Sequence, residues 1–260
     1  MPAREKAVVL LSGGMDSAVC LAIARAENCD AIALSFRYGQ RHAGEIAAAQ
    51  RVAASFSAAD HRIVTIDLRA FGGSALTADF DVPKDLDLPA PLAPRHHDAT
   101  GPNDHSTPDW PTSPPPPFRR PATEIPITYV PARNTIFLSF ALALAEVADA
   151  TRIYIGVNAI DYSGYPDCRP EYIAAFERLA GLATRSGVNG RPVRICAPLL
   201  HLSKVEIVQR GLSLGVDFGM TRSCYDPDSH DRACGHCDAC RLRLAAFASL
   251  GLTDPAPYAG

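Results

Sequence analysis

Leu11-Ser-Gly-Gly-Met-Asp-Ser17 follows directly on the apolar run Ala7-Val-Val-Leu10, and this junction constrains the chain more than any other feature. It places a short glycine turn between a buried strand and a helix that starts near Asp16 and runs through Val19, Leu21 and Ile23. Gly13 and Gly14 let the backbone approach an anion and adopt conformations that other residues avoid. Ser12 and Ser17 add hydroxyls, and the helix N-terminus adds unpaired N–H groups and positive dipole charge. The ligand suited to such a pocket is a phosphate. A tight turn without a ligand is the plainer alternative, but adjacent glycines flanked by serines and an aspartate are more than a turn requires.

No lysine follows Gly14, so the loop is not the common nucleoside-triphosphate P-loop, nor does it fit the dinucleotide fingerprint. Ser-Gly-Gly-x-Asp-Ser resembles the pyrophosphate loop of the N-type ATP pyrophosphatases. That resemblance implies cleavage of ATP between its α and β phosphates and transfer of AMP to a carboxylate or carbonyl oxygen.

Strand and helix signals alternate along the chain. Strands are expected at Ala7–Leu11, Ala31–Phe36, Arg62–Leu68, Arg152–Val157 and Val193–Ala197. Helices are expected at Asp16–Ala26, Ala43–Phe56, Asn134–Ala148, Pro170–Thr184, Ser203–Leu214 and Arg241–Leu250, with Ser203 and Glu206 forming a capping box. The fold class is therefore α/β: an open, mostly parallel, Rossmann-like sheet with helices on both faces. Residues 1–215 are read as the nucleotide domain and 216–260 as a small metal-binding segment. Twelve of the 22 prolines lie between Pro83 and Pro121, without apolar periodicity, so 83–122 reads as an extended or disordered insertion. A lid or a partner-binding polyproline segment is the functional alternative for it.

The formal charge of −3 offers no global basic field for nucleic acid. No apolar run reaches membrane-spanning length and no signal-peptide core leads the chain, so it is expected to be cytoplasmic. Eight cysteines in that compartment point to metal or catalysis rather than disulfides. Cys224, Cys234, Cys237 and Cys240 are spaced x9, x2, x2, with Gly235 in the turn, and suit a closed tetrahedral Zn²⁺ site. An iron–sulfur cluster also takes four cysteines, and His230 or His236 could replace one thiolate.

Three further polar segments follow strand ends or open helices. Arg41, His42 and Glu45 lie within about one helical turn of one another. Arg133 is suited to a bidentate clamp on phosphate or carboxylate, and Asn134 to capping the helix. Asp161 and Asp167 could accept from the N–H groups of a purine-like base, and Tyr162 or Tyr165 could stack on it. Lys204 opens the capped helix and is either a surface lysine or a phosphate ligand. Cys168 is either a small buried residue or a covalent nucleophile.

Leu-Ser-Gly-Gly-Met-Asp-Ser, Tyr-Gly-Gln-Arg-His, Tyr-Val-Pro-Ala-Arg-Asn-Thr, Asp-Tyr-Ser-Gly-Tyr-Pro-Asp-Cys-Arg, Pro-Leu-Leu-His-Leu-Ser-Lys and the Cys-Gly-His-Cys-x-x-Cys end together resemble the 7-cyano-7-deazaguanine synthase family of the queuosine pathway. The resemblance spans nearly the whole chain outside residues 83–122. Ala132 stands where glycine is expected, and the proline-rich insertion is longer than usual. The resemblance implies ligation of ammonia to 7-carboxy-7-deazaguanine through adenylated carboxylate and amide intermediates, with two ATP per nitrile, Mg²⁺ with the ATP and one structural Zn²⁺. It implies an ATP site over Leu10, Leu11, Ser12, Gly13, Gly14, Met15, Asp16, Ser17, Ala18, Val19 and Cys20. Asp16 would lie near Mg²⁺, Lys204 and Arg133 would offset charge on departing pyrophosphate, and Arg41 and His42 would sit by the reacting carboxylate or a phosphate. Asn134, Asp161, Tyr162, Tyr165 and Asp167 would hold the deazaguanine. A homodimer with small-molecule partners only, and no nucleic acid or membrane, is expected. The competing readings are a tRNA-modifying thiolase or lysidine-forming synthetase with the same loop, and a zinc-stabilised nucleotide-binding module without catalysis.

Overall fold

The structure, a computed structural model, describes residues 4–40, 44–78, 81–85, 125–158 and 164–259. Strands β1 (Lys6–Leu10), β2 (Asp30–Arg37), β3 (Asp60–Thr65), β4 (Arg152–Tyr154) and β5 (Arg194–Cys196) form one sheet in the order β3-β2-β1-β4-β5. Every pairing is parallel; Val8 of β1 sits opposite Ile32 on one side and Ile153 on the other. The helices are α1 (Met15–Ala26), α2 (Gly44–Ser55), α3 (Arg133–Ala148), α4 (Pro170–Ala183), α5 (Arg185–Val188), α6 (Lys204–Ser213) and α7 (Asp238–Ser249).

Side chains alternate across each strand, so the sheet feeds two cores. Val8, Leu10, Leu34 and Ile153 pack with Leu138 and Ala141 of α3 and Phe176 of α4. Ala7, Val9, Ala33 and Tyr154 pack on the other face with α1, α2 and α6. Strands buried on both faces read as continuous apolar runs, which is why β1 and β2 were legible.

Three boundaries depart from expectation for local reasons. β4 stops at Tyr154 rather than Val157, because Gly156 bends close over α1: a Cβ there would lie 3.1 Å from both the Asp16 carbonyl carbon and the Ser17 nitrogen. β3 runs over Asp60–Thr65 rather than to Leu68, and Leu68–Phe71 forms a 3₁₀ turn whose entry is capped by Asp67, accepting from the Arg69 N–H at 3.0 Å. α7 begins at Asp238, not Arg241, with Cys237 at its N-cap. The capping box at Ser203 and Glu206 forms as expected.

The proline-rich stretch begins with ordered contacts rather than a free strand of chain. Val82 is buried, Lys84 bridges antiparallel to Cys237, and its Nζ lies 2.7 Å from Asp226. The rest of the expected insertion, 86–122, lies outside the described residues. Among the described residues no helix is long and apolar enough to cross a membrane.

Candidate active site

The sheet order makes β1 the switch strand: the chain leaves it toward β2 on one side, and β4 flanks it on the other. Open parallel sheets bind ligands in the crevice that opens beyond the carboxyl ends at such a point. A cavity of about 300 Å³ lies there, lined by Ser12, Gly14, Asp16 and Ser17 after β1, Gly156 and Asn158 after β4, and side chains from α2, α3, α6 and α7.

One end of the cavity is the glycine–serine loop. Gly13 has φ +86°, and a Cβ on it would lie 2.3 Å from the Glu45 carbonyl oxygen and 2.8 Å from the Ala49 nitrogen. Only glycine allows α2 to press against the loop this closely. The Gly13 carbonyl also accepts from the Arg222 N–H at 2.9 Å. Ser17 Oγ donates to the Gly14 carbonyl at 2.9 Å and accepts from the Ser12 N–H at 3.2 Å, which holds the turn. No side chain caps α1 at Gly14, so its first-turn N–H groups are left for an anion.

Asp16 and Lys204 meet over this loop, Nζ to Oδ2 at 2.6 Å. The second carboxylate oxygen of Asp16, Oδ1, is buried and has no hydrogen-bond partner among the described residues. A buried carboxylate oxygen without a partner is costly unless a cation or donor meets it. A hard divalent cation escorting a polyphosphate is the ligand that oxygen fits.

The opposite end is aromatic and cationic. Phe36 and Phe137 stack with ring centroids 4.0 Å apart and an interplanar angle of 2°. Arg133 projects from the first turn of α3, its guanidinium 6.0 Å from the Tyr38 ring centroid. Burial opposes its charge, but the phenols of Tyr38, Tyr165 and Tyr225 and the Asp167 carboxylate outweigh that and raise its pKa, so the cation is firmly held. Burial pushes the Tyr38 phenol up to about 12, with the Glu45 carboxylate adding to the effect.

The α3 entrance differs from the capping expected of Asn134. The N-cap is Ala132, in the left-handed region at φ 54° and ψ 21°. Asn134 lies two residues further, and its N–H donates to Asp167 Oδ2 at 3.0 Å. The Asn134 side chain donates back to the Asp167 carbonyl at 3.0 Å and to Cys168 Sγ at 3.4 Å. A carboxylate 33 residues away thus caps α3, a partner no local pattern could reveal. The structure places Asp167 behind the cavity wall, whereas Asn134, Tyr165 and Cys168 line it. Tyr165 Oη sits 2.7 Å from Thr128 Oγ1. Burial and the neighbouring Asp167 charge push the Cys168 thiol up to about 12, which keeps it protonated and favours its reading as a small packing residue.

Arg41, His42, Asp161 and Tyr162 lie outside the described residues. Of the remaining candidates, Ser12, Gly14, Met15, Asp16, Ser17, Lys204, Arg133, Asn134 and Tyr165 share one cavity, while Gly13 packs against α2. Leu10 and Leu11 also reach the cavity wall, while Ala18, Val19 and Cys20 are buried in α1 behind it. Tyr38, Arg222 and Tyr225 also line the cavity. Tyr38 was legible as a polar aromatic at a strand end, and the cysteine segment carries Arg222 and Tyr225 to the loop.

The four cysteines converge as expected: the sulfurs of Cys224, Cys234, Cys237 and Cys240 lie within 4.8 Å of one another. Backbone N–H groups of Asp226, Cys234, His236 and Cys237 point at these sulfurs at 3.2–3.4 Å, which favours thiolates. Gly235, at φ +78°, makes the knuckle turn. His236 faces away, its ring 3.1 Å from Asp85, and His230 contacts Ser229, so the four sulfurs alone form the cluster. Tetrahedral coordination at about 2.3 Å per sulfur requires spacings of about 3.8 Å, within reach of this arrangement. The cluster could hold a metal ion.

The parallel sheet, the anion loop at its switch point and the cation-lined pocket opposite define an α/β protein of the pyrophosphate-loop class. A sequence model described as "Queuosine biosynthesis protein QueC" matches residues 6–96 and 114–251. The 7-cyano-7-deazaguanine synthase of Paramagnetospirillum magneticum is 56% identical over 256 residues, covering 98% of this chain and 99% of that protein. Those of Kineococcus radiotolerans and Geobacter metallireducens are 56% and 54% identical, each over 98% of this chain and over 98% and 94% of their own lengths. Among solved structures, NMN synthetase from Francisella tularensis overlaps at a TM-score of 0.44 with 15% identity, covering 97% of this chain and 79% of that one. The chain belongs to the 7-cyano-7-deazaguanine synthase family.

Proposed function

We propose that this protein converts 7-carboxy-7-deazaguanine, ammonia and ATP to 7-cyano-7-deazaguanine. The observation that carries the reading is a single cavity with an uncapped helix N-terminus and the Asp16–Lys204 pair at one end, and Arg133 with an aromatic wall at the other. A polyphosphate and a flat aromatic acid fit that division. Full-length relatives named for this product support the substrate.

The chemistry follows from the poor leaving ability of a carboxylate oxygen. Its attack on the α-phosphorus of ATP expels pyrophosphate and leaves an acyl adenylate. Ammonia then forms the C–N bond as AMP departs, giving the amide. A second adenylation, on the amide oxygen, lets loss of AMP and the nitrogen-bound protons form the nitrile. Each of the two carboxylate oxygens thus leaves on one AMP, and no redox cofactor is needed.

In this reading the Ser12–Ser17 backbone binds the β and γ phosphates. The buried Asp16 Oδ1 is the group that would hold the Mg²⁺ accompanying ATP, an ion that would supply charge neutralisation for the phosphates. Lys204 and Arg133 offset the charge that develops as pyrophosphate departs. Tyr165 and Asn134 bound the deazaguanine slot, Asp167 fixes Asn134 and the α3 entrance, and Asp161, Tyr162, Arg41 and His42 complete the site. The four thiolates hold Zn²⁺ as a structural ion in the 216–260 segment, and the protein works as a cytoplasmic homodimer.

Purified protein incubated with the acid, ATP, Mg²⁺ and ammonium, followed by mass spectrometry, tests this directly. Nitrile with two AMP per turnover is expected. Absence of AMP and pyrophosphate with this acid would refute the proposal and turn attention to tRNA as acceptor.

A further inference from the structure

Glu45 opens α2 beside the phosphate loop, and its side chain lines the same cavity as Arg133 and Tyr38. Its backbone is locked in place, since its carbonyl oxygen lies where a Cβ on Gly13 would be, 2.3 Å away. The side chain of Gln40 hydrogen-bonds its carboxyl group. Gln40 is itself fixed, accepting from the Tyr38 N–H at 2.7 Å and donating to the Phe36 carbonyl at 3.2 Å. A carboxyl on this wall is open to a ligand in the cavity, and the phosphate loop already has its acid in Asp16.

Resting on the function proposed above, we infer that the Glu45 carboxylate binds the incoming ammonium and accepts the proton it must lose before attack. Ammonium donates one proton to Glu45 and becomes ammonia. Its lone pair forms the bond to the acyl carbon, the bond from that carbon to the AMP oxygen breaks, and AMP leaves with the electron pair. A second nitrogen-bound proton is released to solvent, leaving the neutral amide, and Glu45 returns its own proton to solvent before the next turnover.

Three other titratable groups on the described wall suit this task poorly. Asp16 is engaged by Lys204, and the Tyr38 phenol and Cys168 thiol hold their protons up to about 12. The charged groups facing Glu45 come from every side. Arg133 of α3 favours its ionised form, Tyr38 lies at the end of β2, and Asp231, between Cys224 and Cys234, opposes ionisation while itself engaged by Arg222 at 3.0 Å. Burial is the largest influence, and the balance raises the Glu45 carboxyl to about 7. A base that titrates near the operating pH can take a proton and give it up again.

Two measurements test the assignment. In the wild-type protein, the rate of amide formation at sub-saturating total ammonium is expected to rise tenfold per pH unit up to about pH 7 and then level off, because ammonium and ionised Glu45 are both then present. A rate that keeps rising tenfold per unit to pH 9 would mean that free ammonia enters unaided, and would overturn the proposal. In Glu45→Gln the KM for ammonium is expected to rise at least tenfold, by more than any loss of pyrophosphate release with the acid and ATP alone, and the break near pH 7 to disappear. Glu45→Asp should restore part of that loss. A Glu45→Gln protein with wild-type ammonium KM and an unchanged pH profile would also overturn the role. Failure of the wild-type protein to release pyrophosphate with this acid would overturn the function reading itself.

Discussion

Replacing Gly13 with alanine tests whether the anion loop is built by close approach of α2 or only by backbone freedom. Two costs can be separated. The positive φ of +86° penalises any Cβ, by about 1–2 kcal/mol for an L-residue held in left-handed space. The second cost is steric: contacts at 2.3 Å to the Glu45 oxygen and 2.8 Å to the Ala49 nitrogen are backbone contacts, so a helix must move rather than a side chain. Overpacking of that kind costs about 1–3 kcal/mol, for a combined loss of about 2–5 kcal/mol. Gly215, at φ +76°, has nothing within 4 Å of a built Cβ and serves as the control. Gly215→Ala should pay the conformational part alone, roughly 2–4 °C in Tm if that part is about 1 kcal/mol in a chain of this size. Denaturant unfolding of both variants, with ATP titration of each, reads the difference. Gly13→Ala should be the less stable by at least about 1 kcal/mol and should lose most ATP affinity, whereas Gly215→Ala keeps it. Equal stabilities, or Gly13→Ala with native ATP affinity, would refute the close-approach account.

Ala132→Gly relieves a left-handed alanine worth about 1 kcal/mol but frees the unfolded chain by about 0.4–1 kcal/mol, so urea midpoints should move upward only slightly or not at all. Asp16→Asn should leave the melting temperature near native while raising the Mg²⁺ concentration needed for pyrophosphate release at least tenfold; unchanged Mg²⁺ dependence would remove Asp16 from the cation site. Lys204→Met strands the Asp16 carboxylate and should lower the turnover number at least tenfold, read by AMP release under saturating ATP. Cys234→Ser should lose the bound metal by elemental analysis, together with about 2–5 °C or more of thermal stability; full retention would mean that the ligand set differs. Glu45→Gln should be more stable than wild type at pH 8. The folded carboxyl, raised to about 7, holds a proton that the unfolded chain releases near pH 4.5, so stability falls as pH rises through that window; removing the charge should recover on the order of 1–3 kcal/mol, measured by unfolding at pH 5 and pH 8.

The parts of the fold that announce themselves do so through period and punctuation. β1 and β2 are buried on both faces, so Ala7–Leu10 is apolar throughout and Ala31–Phe36 is interrupted only by Ser35, whose buried hydroxyl donates to the Leu11 carbonyl. The α6 start was legible because Ser203 and Glu206 satisfy each other within one turn. The α3 start, expected at Asn134, falls one residue earlier at Arg133, but its cap was not legible, because it comes from Asp167 on another segment, and Asn134 carries the composition of a cap without its position. The cysteine spacing located the sulfur cluster, yet nothing in x9, x2, x2 reveals that Lys84, at the start of the proline-rich stretch, bridges to Cys237. The same limit applied to Glu45. Its sequence neighbourhood shows an ordinary charged helix start, and its distinction lies in Gln40, Arg133 and Asp231, which arrive from three different parts of the chain.

The sulfur cluster and the anion loop are mechanically one unit, so a metal held by the four cysteines would bear on the site without taking part in its chemistry. Arg222, two residues before Cys224, donates its N–H to the Gly13 carbonyl at 2.9 Å and its guanidinium to Asp231 at 3.0 Å. Tyr225, directly after Cys224, lines the cavity and bears on Arg133. Further along, Arg243 of α7 is almost fully buried, pairing with Asp254 at 2.8 Å while donating to Thr221 Oγ1 and the Phe218 carbonyl at 2.6 and 2.8 Å. A buried arginine with each of these acceptors in place tolerates little displacement. The segment from Phe218 to Tyr225 is therefore fixed from behind by Arg243 and from its far end by the thiolates, and it clamps the loop that takes the phosphates. Metal binding at the cluster would act on ATP affinity through Arg222 and on the acid pocket through Tyr225, without either residue touching the ion.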